Sequence, residues 1–147
     1  MTQDIVCMQN VLRYYKENAE LLEKYRRIAE GGQCPFCDPN IENPLVCETK
    51  WWNVVLNQFP YKNSKLHLLF LPKRHILSPA DMVKGEWSDL SRAFNAVMPK
   101  YPFLSNGYGF AVRAKETGGV TLYHLHYHLI APEIGENGQI SVNFGIG

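Results

Sequence analysis

A stretch of eight residues, YHLHYHLI at positions 123–130, constrains the fold and the function of this chain more than any other. Its aromatic and aliphatic residues favour a β-strand, which the Gly118-Gly119 turn before it and Pro132 after it would bound. Side chains alternate between the two faces of a strand, so the three histidines share one face and stand about 6.6 Å apart, while the apolar residues face the core. A row of imidazoles is a poor core face, so the pattern predicts a ligand-facing strand. The alternative is a solvated face with accidental periodicity.

Length and composition favour one ordinary globular domain. The chain has 147 residues, of which 46% are hydrophobic and 20% are charged, as in a typical soluble protein. A formal net charge of +1 gives no basic footprint for a nucleic acid or for an anionic membrane surface. No apolar run approaches the length that a membrane span needs. The sequence therefore predicts neither a membrane nor a nucleic-acid partner.

The cysteines point to a reducing compartment and to one short motif. The first residues lack the layout of a signal peptide, so we expect a cytoplasmic protein in which four cysteines do not form a disulfide framework. Cys34 and Cys37 form a Cys-x-x-Cys motif, which serves either as a redox pair at a strand-to-helix junction or as a zinc knuckle. A predicted helix precedes this motif and strands follow it. That order favours the knuckle, which needs two further ligands.

The remaining pattern predicts an α+β domain. Apolar residues at helical spacing indicate one N-terminal helix over residues 4–30, which Gly31-Gly32 ends. A second helix is predicted over 86–98, with Trp87, Leu90, Phe94 and Val97 as its core-facing stripe. Strands are predicted over 45–49, 52–56, 66–71, 107–114 and 123–130. We expect a mostly antiparallel sheet of about five strands, with a main helix and an extra N-terminal helix.

The motif at residues 124–130 follows the pattern His-φ-His-φ-His-φ-φ, where φ is apolar, and in this it resembles the histidine triad (HIT) family. A second block, from Asn57 to His75, is similar to the family as well. All five histidines of the chain stand where the family pattern has histidine: His67, His75, His124, His126 and His128. From the residue pattern we expect residues 1–33 to form a helical extension packed on the domain and 133–147 to form a C-terminal tail, and the resemblance implies a HIT domain over 34–132. It also implies the α+β fold, which in this family often pairs as a two-fold dimer.

A structural zinc site is the predicted cofactor site. A tetrahedral site with two sulfur and two nitrogen ligands would close the coordination sphere of the ion. The resemblance to the zinc-bearing branch of the family implies this ligand set. The predicted ligands are Cys34, Cys37, His75 and His124. The alternative is a zinc-free fold with reduced, idle cysteines.

The resemblance implies that His126 is a nucleophile. A neutral imidazole can attack phosphorus near neutral pH, because its proton is mostly off. If a backbone carbonyl or a neighbouring group holds the proton on Nδ1, then Nε2 presents its lone pair to the substrate. Attack would give a covalent nucleotidyl-histidine that water later cleaves. His128, one step along the same face, would donate to the phosphate oxygens.

The other predicted substrate- and phosphate-binding residues are Asn57, His67, Arg113 and Thr121. By resemblance, Thr121 contacts a phosphate or leaving group and Asn57 holds a ribose hydroxyl. For His67, the alternative is a buried histidine hydrogen-bonded to the backbone. Arg113 stands where the family usually has Asn or Gln, and its guanidinium would favour a more anionic substrate. The alternatives for Arg113 are a salt bridge to Glu116 or a solvated strand end.

The predicted function is nucleotidyl hydrolysis, in which AMP is released from a dinucleoside polyphosphate or a nucleoside phosphoramidate. The complete triad favours hydrolysis, because the transferase branch of the superfamily has Gln at the third position. Two alternatives stay open: a phosphorylase or nucleotidylyltransferase with the same intermediate, and a non-catalytic purine-nucleotide-binding module. The expected partners are a small-molecule nucleotide and a second copy of the chain.

Overall fold

A five-stranded antiparallel sheet forms the centre of the protein, which a computed structural model describes over residues 5–38 and 43–147. The strands lie side by side in the order β1-β2-β3-β5-β4. Their bounds are β1 Leu45–Glu48, β2 Trp52–Leu56, β3 Ser64–Pro72, β4 Gly109–Val112 and β5 Tyr127–Pro132. The predicted α+β class and the predicted five-stranded sheet are therefore confirmed.

Strand β3 lies at the middle of the sheet, where its almost continuous apolar run predicts it. Its seven residues from 66 to 72 are all buried, because both faces of the strand are covered. Phe70 and its neighbours on one face pack against α3, which spans Lys84–Val97. On the other face, Leu69 and Leu71 pack under the N-terminal helices. The sheet thus separates two apolar cores.

Helix α3 begins two residues before its predicted start and includes Gly85. A Cβ on Gly85 would stand 3.0 Å from the Trp51 ring, so glycine permits this close contact. The predicted core stripe is wrong at Trp87, which is 49% exposed. Ala93 is fully buried instead, and so is Glu86, whose carboxylate pairs with Arg74 at 2.6 Å. The burial of a charged residue in this helix depends on that partner.

The predicted single N-terminal helix is wrong, because the structure has two helices there. Helix α1 spans Met8–Tyr15 and α2 spans Ala19–Gly31. Asn18 separates them, and its side chain accepts a hydrogen bond from the backbone N–H of Leu21 at 3.1 Å. Asparagine favours such caps over helix interiors, because its side chain competes for backbone hydrogen bonds. The predicted stop is confirmed, since Gly32 takes the left-handed conformation at φ 67°. The predicted first residue of the helix, Asp4, lies outside the described residues.

The predicted strand over 123–130 is correct only in its second half, because β5 begins at Tyr127. The preceding residues are held by other backbone bonds. Leu125 donates its N–H to the Ile76 carbonyl at 2.6 Å, and Tyr123 donates to the Ile5 carbonyl at 2.8 Å. Leu125 and Tyr127 are buried in the core as predicted, so the alternation of faces continues outside the regular strand.

After β5 the chain forms a small hairpin and then returns across the sheet. The hairpin strands are β6 Ile134–Gly135 and β7 Gly138–Gln139. The last residues contact a short helix, α4 Lys115–Gly118, through a bond from the Gly147 N–H to the Gly118 carbonyl at 3.2 Å. Among the residues that the structure describes, no helix combines the length and apolar character that crossing a bilayer requires.

Candidate active site and metal centre

The structure brings the four predicted metal ligands together. Cys34 and Cys37 lie in the turn after α2, His75 follows β3, and His124 precedes β5. One potential ligand atom from each residue lies within 4.8 Å of all the others. The Nδ1 atom of His124 lies 3.4 Å from the Cys34 sulfur and 3.6 Å from the Cys37 sulfur. These residues form what we term the Cys/His cluster.

The chemistry of the Cys/His cluster fits a zinc ion. His124 donates its Nε2 proton to the Pro72 carbonyl at 2.9 Å, which leaves the Nδ1 lone pair towards the thiols, as metal-bound histidines require. Burial lowers the pKa of His124 to about 4, so its imidazole is neutral. Burial also raises the pKa of Cys34 to about 12. A divalent cation would release that proton, because thiolates are the ligands of such ions. Two sulfur and two nitrogen donors suit tetrahedral zinc.

His126, two residues after His124, lines a cavity of about 390 Å³. Its Nδ1–H donates to the backbone carbonyl of His124 at 2.7 Å, so Nε2 carries the lone pair. No hydrogen bond to this Nε2 occurs within residues 5–38 and 43–147. Burial, with a further contribution from Arg113, lowers the pKa of His126 to about 4. The imidazole is therefore neutral at physiological pH, with its basic nitrogen unpaired.

A chain of hydrogen bonds assigns the tautomer of His128. The backbone N–H of Tyr61 donates to Nδ1 of His67 at 3.1 Å, so the His67 proton lies on Nε2. That nitrogen donates to Nδ1 of His128 at 2.8 Å. His128 therefore carries its own proton on Nε2, which is buried and has no partner in the described part of the chain. His128 lines the cavity, and an unpaired donor there is suited to an anionic ligand.

His67 itself lies behind His128 and not on the cavity wall. It is only 2% exposed, and burial lowers its pKa to about 4. Its contacts match the alternative interpretation of His67 in the sequence analysis, which was a buried histidine hydrogen-bonded to the backbone. The structure adds the hydrogen bond to His128. The structure therefore gives His67 a contact with a triad histidine and none with the cavity.

Arg113 lines the cavity at the end nearest the tail. Its guanidinium donates to the Tyr61 hydroxyl at 2.7 Å and to the Gly145 carbonyl at 2.6 Å, and it lies 3.8 Å from the centre of the Phe144 ring. Neither sequence-based alternative holds, since the described residues contain no ion pair between Arg113 and Glu116 and the strand end is covered by the tail. The structure thus holds a fixed positive charge beside the triad.

Asn57 and Thr121 also line the cavity. The Asn57 side-chain oxygen accepts the N–H of Phe59 at 3.0 Å. The Thr121 hydroxyl lies 2.9 Å from the hydroxyl of Tyr25 on α2. No pattern in the sequence indicated that α2 and the tail would line this cavity. Tyr25 lies on the apolar side of a helix and so indicated core packing, and Asn143 and Gly145 belong to a segment without a motif.

Comparisons with known proteins identify the family of this chain. A family model for the HIT domain matches residues 38–134. The chain belongs to the HIT family. Two curated relatives, each named an uncharacterized HIT-like protein, match over 108 residues, or 72% of this chain. The relative from Chlamydia muridarum is 32% identical with 78% of its length covered, and that from Chlamydia trachomatis is 30% identical with 88% covered.

Solved structures of HIT proteins share the fold. A histidine triad nucleotide-binding protein from Candida albicans has a TM-score of 0.60 and 22% identity, with 78% of this chain and 85% of that chain covered. A HIT family hydrolase from Clostridium thermocellum has a TM-score of 0.58 and 22% identity, with 74% and 94% covered. A zinc-bound histidine triad family protein from Mycobacterium smegmatis has a TM-score of 0.55 and 18% identity, with 73% and 80% covered. Helices α1 and α2 precede the HIT match, and so do both cysteines of the cluster.

Proposed function

We propose that this HIT protein is a nucleotidyl hydrolase that releases AMP from a dinucleoside polyphosphate or a nucleoside phosphoramidate through a covalent intermediate on His126. The observation that carries this proposal is the state of His126. Its imidazole is neutral, its Nδ1 proton is bound to the His124 carbonyl, and its unpaired Nε2 belongs to a ring that lines the cavity. Such a nitrogen is a competent nucleophile towards phosphorus.

In the first step, Nε2 of His126 forms a bond to the α-phosphorus, and the bond from that phosphorus to the leaving group breaks. The leaving group keeps the electron pair; an amine also takes up a proton from solvent, whereas a polyphosphate does not need one. The imidazole becomes positively charged, and the His124 carbonyl stabilises that charge through the Nδ1–H bond. In the second step, water attacks phosphorus and loses a proton to solvent. The electron pair of the P–N bond returns to Nε2, and AMP leaves.

Three side chains on the cavity wall would bind different parts of the substrate. The unpaired Nε2–H of His128 donates to a non-bridging oxygen, where negative charge is concentrated. The fixed charge of Arg113 pairs with further phosphates of the leaving group. Asn57 holds a ribose hydroxyl. His67 acts through His128, because its Nε2–H bond keeps the proton of His128 on the nitrogen that would face the phosphate.

The proposal includes a structural zinc ion held by the Cys/His cluster, and the solved histidine triad family protein from M. smegmatis is itself zinc-bound. All four positions would be filled by protein ligands, so the ion would not bind substrate. It would tie the turn after α2 to the ends of β3 and of the segment that carries His126.

We therefore place the HIT domain at 34–132, with residues 1–33 as an extension and 133–147 as a tail. Because Cys7, Cys34, Cys37 and Cys47 are all free thiols, we also infer a reducing, cytoplasmic environment.

A homodimer is part of the proposal as well. Strand β4 is an outer strand of the sheet, and the adjacent Tyr108 is 43% exposed. An outer strand with free backbone groups can pair with the same strand of a second copy. Light scattering of the purified protein tests this: a mass of one chain would contradict it.

A trapping experiment tests the hydrolase. The wild type and the His126→Asn variant are incubated with adenosine polyphosphates and AMP-amides that carry radioactive α-phosphorus, then quenched and analysed for products and bound label. We expect AMP as product and an acid-labile, base-stable label on the wild type, with neither on the variant. Binding of AMP without label or turnover would make the protein a nucleotide-binding module. Transfer of the AMP group to phosphate in place of water would make it a phosphorylase.

A further inference from the structure

Helix α2 contacts the cavity from outside the region that matches the HIT family. The hydroxyl of Tyr25 lies 2.9 Å from the hydroxyl of Thr121, and both residues line the same cavity as His126. The backbone of Thr121 is fixed from the same side, since its carbonyl accepts the N–H of Cys7 at 2.9 Å. The N-terminal segment therefore determines both the backbone position and the side-chain hydrogen bond of Thr121.

The Tyr25 ring has a defined position. It stacks on Tyr15 of α1, with the ring centres 5.9 Å apart and the planes 14° from parallel, and it packs on the apolar cluster that contains Leu69 and Leu122. Burial raises the pKa of Tyr25, so its phenol stays protonated at neutral pH. A ring held in this way presents its hydroxyl to one partner, because the side chain has little remaining rotamer freedom.

The chemistry of the two hydroxyls gives the bond a direction. A phenol is a stronger acid than an aliphatic alcohol, so Tyr25 donates and the Thr121 oxygen accepts. The proton of Thr121 is then free for another acceptor, and no other side-chain bond of Thr121 occurs in the described part of the chain. Accepting one hydrogen bond also makes a hydroxyl a better donor of the next, because the bonds in a chain polarise one another.

We propose that Tyr25 is a positioning residue, which directs the Thr121 hydroxyl to donate a hydrogen bond to the leaving-group atom bound to phosphorus. This inference rests on the proposed hydrolase function and specifies which substrates depend on α2. Negative charge grows on the leaving atom as its bond to phosphorus breaks. The hydrogen bond from Thr121 therefore matters most for leaving groups that carry this charge poorly, such as alkoxides and amines, and least for stable anions such as p-nitrophenolate.

The test is a leaving-group series with Tyr25→Phe, which removes the hydroxyl and keeps the ring. AMP alkyl esters and AMP-amides are compared with AMP p-nitrophenyl ester. We expect kcat to fall about 10-fold for the alkyl esters and amides, as for loss of one hydrogen bond in the transition state, and less than about twofold for the p-nitrophenyl ester. KM should change less than about twofold throughout, because the bond strengthens only as the leaving group departs.

Two further variants complete the design. Thr121→Val removes the hydroxyl through which Tyr25 would act, so adding Tyr25→Phe to Thr121→Val should cause no further loss. Tyr101→Phe removes a phenol hydroxyl away from the cavity and controls for general effects on the fold. Equal losses across all leaving groups, or additive losses in the double variant, would overturn the inference and leave the hydrolase intact. Absence of turnover in the wild type would overturn the hydrolase and the inference together.

Discussion

The Cys/His cluster and the cavity share one short segment but differ in which imidazole nitrogen each histidine leaves free. His124 gives its Nε2 proton to the Pro72 carbonyl, so Nδ1 is directed to the cysteines. His126, two residues later, gives its Nδ1 proton to the carbonyl of His124, so Nε2 is free. Both rings are buried and neutral. The backbone acceptor of each ring therefore decides whether it is suited to bind a metal or to attack a substrate.

His128 is a third case on the same face. Its Nδ1 accepts from His67 instead of donating, so its free nitrogen is a donor and not a base. In the proposed function, three alternate histidines thus take three roles, as metal ligand, nucleophile and hydrogen-bond donor. Alternation alone cannot distinguish them, because the partners of His124 and His128 come from β3, and only that of His126 lies in the same segment.

The largest effect is expected for His126→Asn, which removes the proposed nucleophile. We expect turnover of a dinucleoside polyphosphate to fall by about 10⁴-fold or more, as for other essential nucleophiles. The Cys/His cluster should be unaffected, so zinc content and Tm should match the wild type. Steady-state kinetics and metal analysis of the same preparation measure both. A variant that also lost zinc would show that the two sites are not separate.

The converse change is Cys37→Ser, which removes one ligand from the cluster. We expect loss of bound zinc and a fall of about 3 kcal/mol in the free energy of unfolding, because structural metal binding contributes directly to folding. Cys47→Ser is the matched control, since Cys47 lies on β1 outside the cluster and its replacement should leave zinc content unchanged. Denaturant unfolding and metal analysis distinguish the two. Full stability of Cys37→Ser without zinc would favour the zinc-free fold.

A smaller, selective effect is expected for Arg113→Gln at the cavity. Loss of the fixed charge should lower kcat/KM about 10-fold for dinucleoside polyphosphates, the value of one charge-assisted hydrogen bond, and change it little for AMP-amides. Arg113→Lys keeps the charge and should retain part of the preference. Equal losses of kcat/KM on both substrate classes would contradict a role of Arg113 in specificity. They would indicate instead that Arg113 positions the tail through its contacts with Phe144 and Gly145.

The sequence predicted the elements whose signals are local. The apolar run of β3 and the histidine alternation are visible in a few adjacent residues, and the four cluster ligands followed from motif spacing and family resemblance. The contacts that join distant parts of the chain were not visible. From sequence alone, Glu86 would be expected on the solvated side of the helix, because its ion pair with Arg74 is visible only in the structure. Likewise, nothing in the tail indicates that Phe144 covers Arg113. The break at Asn18 had a local signal, its capping preference, which the continuous apolar spacing outweighed.

A change in the pH dependence of stability is expected for His67, which supports the cavity without lining it. Burial lowers its pKa from 6.5 to about 4, with smaller contributions from its neighbours His126 and Arg113. Between those values the unfolded chain binds a proton that the folded chain does not, so the free energy of unfolding falls as the pH is lowered from 6.5 to 4. His67→Asn keeps an acceptor for the Tyr61 N–H and loses this titration. Denaturant unfolding across that range should give the variant a slope shallower by up to about 1.4 kcal/mol per pH unit. The metal ligands are the same in both proteins, so the difference in slope reports His67 together with its bonded neighbour His128, and identical slopes would mean that His67 accepts a proton in the folded protein.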